Sequence, residues 1–235
     1  MTAVDPSFLT PSVLPNLQMN SRVEGGERLH SLLWRLGDGW RTVSNAVLGG
    51  GIGERTWILN AQVSHGYRRV DPERHLADLA RGVGAKGPGV GLMTAADVRL
   101  HGDAIDTGVS ALATAGLGVR GWAASPAEGT ATALPAGTVN IVAVVPVALT
   151  DAALVNAVAT ATEAKVQALL RAGYDCSGTP TDAVCVAART PVPGEETHAF
   201  AGPRSVWGAR LARAVHVAVG AAAREYTQAA TDHAR

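Results

Sequence analysis

A chain of 235 residues can bury a sizeable core in one large domain or two small ones. Its twenty basic residues balance its twenty acidic ones. With neither a basic excess nor a basic stripe, it suits a small molecule better than a nucleic-acid polyanion. Aromatics are 4% of the chain while Gly numbers 27, so small aliphatic side chains and close backbone approach must build the core. Cys176 and Cys185 show no Cys-x-x-Cys spacing and make no disulfide framework. The N-terminus lacks the basic start and apolar run of a signal peptide, and no apolar run of about 18 residues suggests a membrane span. The cytoplasm is the expected compartment, with no membrane partner.

Residues 1–25 are Pro-rich and polar and read as an extended lead-in to a single domain over 26–235. Leu29 to Leu36 and Trp40 to Leu48 have strand character around Gly37-Asp38-Gly39, which predicts a hairpin. A glycine loop, Gly49 to Gly53, precedes a third strand, Thr56 to Val63. Asp71-Pro72 opens a helix, since Asp can cap free amides and Pro suits the first position; Gly82 ends it. Val90 to Ala96 is strand-like, Gly108 to Gly121 holds one or two strands, and Ser125 to Gly137 reads as a surface loop. Thr138 to Val147 is the clearest strand, and Asp151 to Ala172 the clearest helix. In that helix Val155, Val158, Thr162, Val166 and Leu169 recur at helical spacing, and Gly173 stops it. Ala183 to Ala188 is a short strand. Ser205 caps a last helix with a stripe of Trp207, Leu211, Val215, Ala218 and Ala222. Strands early and long helices late predict an α/β (α+β) layered sandwich, with mixed β-sheets and long helices packed outside, αββα being one such arrangement.

Candidate chemistry gathers where polar groups meet apolar elements, because a buried polar group costs free energy unless hydrogen-bonded. Thr138 and Asn140 open the clearest strand, and Glu163 and Lys165 sit together on the helix that follows. Ser177-Gly-Thr-Pro-Thr-Asp182 puts Thr179, Thr181 and Asp182 before another strand, and Thr94 and Asp97 end an earlier one. Each alone also fits a turn whose side chains satisfy backbone amides. Together they supply a hydroxyl or water, a carboxylate and oxyanion donors, which amide hydrolysis requires. Gly49, Gly50 and Gly51 lead into strand-type sequence with Glu54 in an anion's place. That spacing argues against a dinucleotide loop and fits either backbone amides brought close to a bulky uncharged ligand or a plain turn. Among seven histidines, none has zinc-site spacing, so no metal ligand is assigned; His65, after a strand and before Gly66-Tyr67, has the best claim to a site. No Gly-x-Ser-x-Gly elbow is present.

Read in order, Ser44-Asn-Ala-Val-Leu-Gly-Gly-Gly-Ile-Gly53, Asn60-Ala-Gln-Val63, Tyr67 with Asp71-Pro72, Gly91-Leu-Met-Thr-Ala-Ala-Asp-Val98, Gly137-Thr-Val-Asn-Ile141, Ala161-Thr-Glu-Ala-Lys165 and Ser177 to Ala183 resemble the adenosylcobinamide amidohydrolase family of corrinoid salvage. The helix after Trp207-Gly208 also fits, so the likeness spans roughly residues 40 to 220. Arg204 and Ser205 depart from the Gly and Thr expected there. The resemblance implies hydrolysis of the amide joining the corrin propionyl side chain to aminopropanol, giving adenosylcobyric acid. Cobalt would belong to the substrate, no cofactor of the protein's own is required, and a homo-oligomer is compatible.

Two mechanisms follow from the site residues. The Gly-Thr pair opening a strand is similar to the N-terminal nucleophile amidases of the ornithine acetyltransferase type; there the chain cleaves before Thr138, whose own amine becomes the base. In the other, Asp182 or Glu163 activates water while Thr138, Thr179 and backbone amides hold the oxyanion. Gly49, Gly50, Gly51, Asn60, His65, Thr94, Asp97, Asn140, Lys165, Thr179 and Thr181 would bind substrate. The alternative functions are a corrinoid-binding carrier or sensor without catalysis and a small-molecule amidase unrelated to corrinoids.

Overall fold

Strand pairing sorts the apolar runs into two sheets. The computed structural model describes residues 16–125 and 137–233. The smaller sheet has the order β1 (Leu17–Glu24), β2 (Glu27–Arg35), β5 (Trp57–Gln62) and β6 (Gly89–Thr94). The larger runs β4 (Gly51–Glu54), β3 (Trp40–Ser44), β10 (Ala183–Arg189), β9 (Thr138–Leu149), β8 (Val109–Gly116) and β7 (His101–Asp106), with β11 (Thr197–His198) also on β9. Helix α1 (Pro72–Gly82) crosses between parallel β5 and β6, and α2 (Asp151–Arg171) between parallel β9 and β10. The last helix is α3 (Val206–His233).

Three apolar clusters fix the layers. Leu33, Trp57, Leu59, Leu76 and Ala80 join α1 to the smaller sheet. Leu32, Ile58, Val90 and Leu92 meet Leu112, Val142, Cys185 and Ala187 between the sheets. Val139, Ile141, Ala143 and Val145 of β9 face Ala157, Ala161, Leu211 and Val215 under α2 and α3. The expected mixed-sheet sandwich is present, in its αββα form. Alternation along β9 sends its odd-numbered residues to the helices and its even-numbered ones to the other sheet.

Several local expectations change. Gly37-Asp38-Gly39 does not make a hairpin: β2 and β3 lie in different sheets, and Gly37 and Gly39, both at positive φ, turn the chain from one layer to the other. The expected lead-in includes a full strand, because Leu17 to Glu24 pair with Trp34 to Glu27 of β2. The glycine loop becomes edge strand β4, paired with Ser44 to Arg41. Strand β7 escaped notice because Gly102, Asp103 and Asp106 dilute its apolar pattern. On α2 the buried stripe is Ala153, Ala157, Ala161, Ala164 and Ala168, with Val155 and Thr162 exposed. Valine marks hydrophobicity, but alanine lets α2 and α3 approach closely. Ser205 does cap α3, its Oγ accepting from Gly208 N at 3.1 Å. The Ser125 to Gly137 loop lies, apart from its two ends, outside the described residues.

Candidate active site

Thr138 is the first residue of β9, and the strand's period places it on the same face as Asn140. Because β10 runs parallel to β9 and begins opposite Asn140 (Ala183 pairs with Asn140), the turn before β10 must lie against the start of β9. That brings Thr179, Thr181 and Asp182 to Thr138. The Thr181 hydroxyl donates to Gly137 O at 2.8 Å, so it accepts from the Thr138 hydroxyl at 2.6 Å. Gly137 has no room for a side chain, since a Cβ there would stand 2.3 Å from Val119 O.

Asp182 is held from every side. Its Oδ1 accepts from Val139 N at 2.8 Å and from the Thr179 hydroxyl; its Oδ2 accepts from Thr179 N at 3.2 Å and pairs with the ammonium of Lys165. Both side chains are largely buried, at 12% and 8% exposure, where an ion pair is tolerated only with such hydrogen bonding. Gly178, at φ +155°, makes space for it: a Cβ would lie 2.1 Å from Asp182 Oδ2 and 2.6 Å from Lys165 Nζ. A carboxylate with all this donor support is a rigid anchor.

Thr138, Thr181 and Asp182 line a cavity of about 740 Å³ with Thr94, His65 and Tyr67. A second cavity, of about 1090 Å³, lies on the other side of Pro180 and Asp182 and is walled by Lys165, Thr179 and Trp122. The structure thus brings Thr138, Thr181, Asp182, His65 and Thr94 to one space, with Lys165 and Thr179 behind them.

Other expected site residues lie elsewhere. Glu163 is exposed on α2 and lines neither cavity. Asn60 and Asn140 are buried between the sheets: Asn140 Nδ2 donates to Asn60 Oδ1 at 2.8 Å and to Met93 O at 3.1 Å, and Asn60 Nδ2 donates to Thr114 Oγ1 at 2.9 Å. They fasten β9 to β5, β6 and β8 beneath Thr138. Asp97 closes a turn, accepting from Arg99 N at 3.0 Å and pairing with the Arg99 guanidinium. Gly49 and Gly50 serve packing, since Cβ atoms there would stand 2.0 Å from Gly89 O and 2.6 Å from Ala46 O; Gly51, at positive φ, turns into β4. None of the three lines either cavity.

Two residues of the segments that carry the resemblance had no site role assigned from the sequence. Asn45 lines the first cavity and braces the Asp182 turn, donating to Asp182 O at 3.0 Å and accepting from Val184 N at 2.7 Å. Tyr67 also lines it. Their signal was a lone polar residue directly after a strand and a lone aromatic in a polar loop, both easily taken for surface. Among the described residues, no three His, Cys, Asp or Glu side chains gather as a metal site, and no helix is long and apolar enough to cross a membrane.

The adenosylcobinamide amidohydrolase family model matches residues 15–231, so the match takes in β1, which was expected to stand outside it. An adenosylcobinamide amidohydrolase of Methanosarcina mazei is 36% identical over 158 residues, covering 67% of this chain and 71% of that protein. One of Halobacterium salinarum is 48% identical over 88 residues, covering 37% and 36%. A crystal structure of a Pyrococcus horikoshii OT3 protein aligns with TM-score 0.47 and 12% identity over 90% of this chain and 83% of that one. A family match that runs from the first described strand into the last helix settles membership: the chain belongs to the adenosylcobinamide amidohydrolase family.

Proposed function

We propose that this protein hydrolyses the amide joining the propionyl side chain of adenosylcobinamide to aminopropanol, releasing adenosylcobyric acid, with Thr138 as the attacking hydroxyl. Family membership supports the reaction. The observation that carries the assignment to residues is Thr138 at the wall of a cavity, held by Thr181 and backed by the Asp182–Lys165 pair. The cavity is lined by small and apolar side chains and hydroxyls, with His65, Arg68 and Asp182 as its ionisable groups, and it suits a wide macrocycle with polar side arms. Cobalt enters as part of that substrate.

Thr138 Oγ bonds to the amide carbon as its proton leaves, the C–N bond breaks as the nitrogen gains a proton, and water then hydrolyses the ester to the carboxylate. Asp182 does not take the proton; it fixes the turn that carries Thr181 and holds Val139 N. Incubation with adenosylcobinamide should release free aminopropanol, and Thr138→Ala should bind the corrinoid, read by spectral titration, and release none. Binding without release by the wild-type protein would make it a carrier or sensor.

One contact favours chain cleavage before Thr138 as the source of the base: the Thr181 hydroxyl donates to the carbonyl of the Gly137–Thr138 bond and so polarises it. Intact mass tests this version. Fragments 1–137 and 138–235 in active preparations support it; an uncut chain of 24.0 kDa with full turnover rules it out.

A further inference from the structure

In the intact chain Thr138 has no base beside it. Its hydroxyl bonds Thr181, whose own proton is committed to Gly137 O, and Asp182 is saturated by donors. A different set of groups reaches the same cavity from the smaller sheet. Tyr67, in the loop before α1, lines it. The Tyr67 hydroxyl lies 3.1 Å from Nδ1 of His75, a buried residue of α1, and the two rings stack nearly parallel with centroids 5.6 Å apart. Nε2 of His75 lies 3.2 Å from Glu24 Oε1, and Arg22 clamps the other Glu24 oxygen at 2.8 Å. Arg22 is itself tied to Gln62 O at 2.7 Å.

The direction of the Tyr67–His75 bond follows the imidazole tautomer. Burial works against the Glu24 charge, but the hydrogen bond from Arg22 and the neighbouring His75 hold its carboxyl below the usual range. Glu24 is therefore an acceptor at neutral pH and takes the Nε2–H of His75. In the tautomer that gives Nε2–H to Glu24, Nδ1 accepts the phenolic proton. Burial pushes the Tyr67 phenol upward, so it keeps that proton at rest. In that tautomer the oxygen of Tyr67, a residue that lines the cavity, keeps a lone pair backed by an oriented imidazole and a carboxylate.

We infer that Tyr67, His75 and Glu24 form the proton relay of the amide hydrolysis, with Tyr67 as the catalytic group and His75 and Glu24 as the residues that position and drive it. The inference rests on the hydrolase reading above. As Thr138 Oγ bonds to the carbonyl carbon, its proton passes across the shared cavity to Tyr67 Oη, and the phenolic proton passes to His75 Nδ1. The resulting imidazolium is held by Glu24. The amide C–N bond breaks as the protons return along the same path to the aminopropanol nitrogen. Water repeats the cycle on the ester, giving one proton to the relay and regaining the Thr138 hydroxyl. Every proton taken is returned, and no oxidant or co-reactant is needed.

The test is turnover of adenosylcobinamide by wild type, Tyr67→Phe, Glu24→Gln and the double variant, with corrinoid binding measured in parallel. General acid–base groups contribute about 10²–10⁴ in rate, so Tyr67→Phe should lower kcat by about a hundredfold or more with the dissociation constant within about threefold. Because His75 is buried and its replacement risks the fold, Glu24→Gln is the second probe; it should cost about tenfold in kcat alone and nothing further once Tyr67 is Phe. Tyr67→Phe at wild-type kcat, a loss confined to binding, or fully multiplicative effects in the double variant would overturn the relay. A wild-type protein that binds the corrinoid but frees no aminopropanol would overturn the hydrolase reading instead.

Discussion

Thr138 is placed by four neighbours that each answer a separate physical demand: Gly137 clears the Val119 carbonyl, Thr181 takes its hydrogen bond, Asp182 holds the next amide, and Asn140 pins the strand below. Removing the Asp182 charge should therefore damage structure as much as rate. Asp182→Asn strands the Lys165 ammonium in a mostly buried position and should lower stability by about 3 kcal/mol, read by denaturant unfolding, with turnover falling alongside. Glu163→Gln, on the exposed face of α2, should keep wild-type turnover and stability. At this scale the Thr138, Thr181 and Asp182 cluster was legible, because hydroxyls and a carboxylate at the starts of two apolar strands together supply what amide hydrolysis requires, although each alone also fits a turn. Asn60 and Asn140 were legible as important but not as buried, since a sequence does not say whether the second face of a strand meets water or another sheet. Glu163 was misplaced because two residues on one helix need not share a face: Lys165 turns inward and Glu163 outward.

Elements are joined by contacts that composition cannot show. Asp106 at the end of β7 pairs with Arg213 of α3 through both oxygens, at 2.5 and 3.0 Å. The hydrogen bond from Arg213 holds the Asp106 carboxyl below its ordinary 3.8. A depressed folded-state value means the pair stabilises the fold above pH 3.8 and stops doing so as pH falls through that lower value. The difference in thermal midpoint between wild type and Asp106→Asn should accordingly be present at neutral pH and disappear in strong acid. The pair is largely exposed, so the difference is small and shrinks with salt. Strands β5, β9 and β10 and all three helices could be anticipated from period, helix starts and stops, although Asp71 makes no side-chain cap and Thr150 caps α2. β1 and β7 could not, because polar residues break their apolar period and almost none of their residues is buried, and β3 could not be separated from β2 because its partner β10 lies about 140 residues on, at Cys185 opposite Ser44.

Across the whole molecule, the layers seal both cysteines, Cys185 between the two sheets and Cys176 between the larger sheet and the helices. Burial pushes the Cys185 thiol up to about 12, and Cys176 is also buried and raised. A thiol reagent at neutral pH should label neither in the folded protein, and both together on unfolding, so labelling rate reports global opening. The same layering sets the site between the sheets, with Thr138 from the larger and the Tyr67 loop from the smaller, so the sandwich must close before the cavity exists. The most direct measurement of the central claim is aminopropanol released from adenosylcobinamide by wild type and Thr138→Ala, with corrinoid binding followed spectrally in the same samples. The expected result is release by the wild type alone and equal binding by both. Release by Thr138→Ala at the wild-type rate would contradict it.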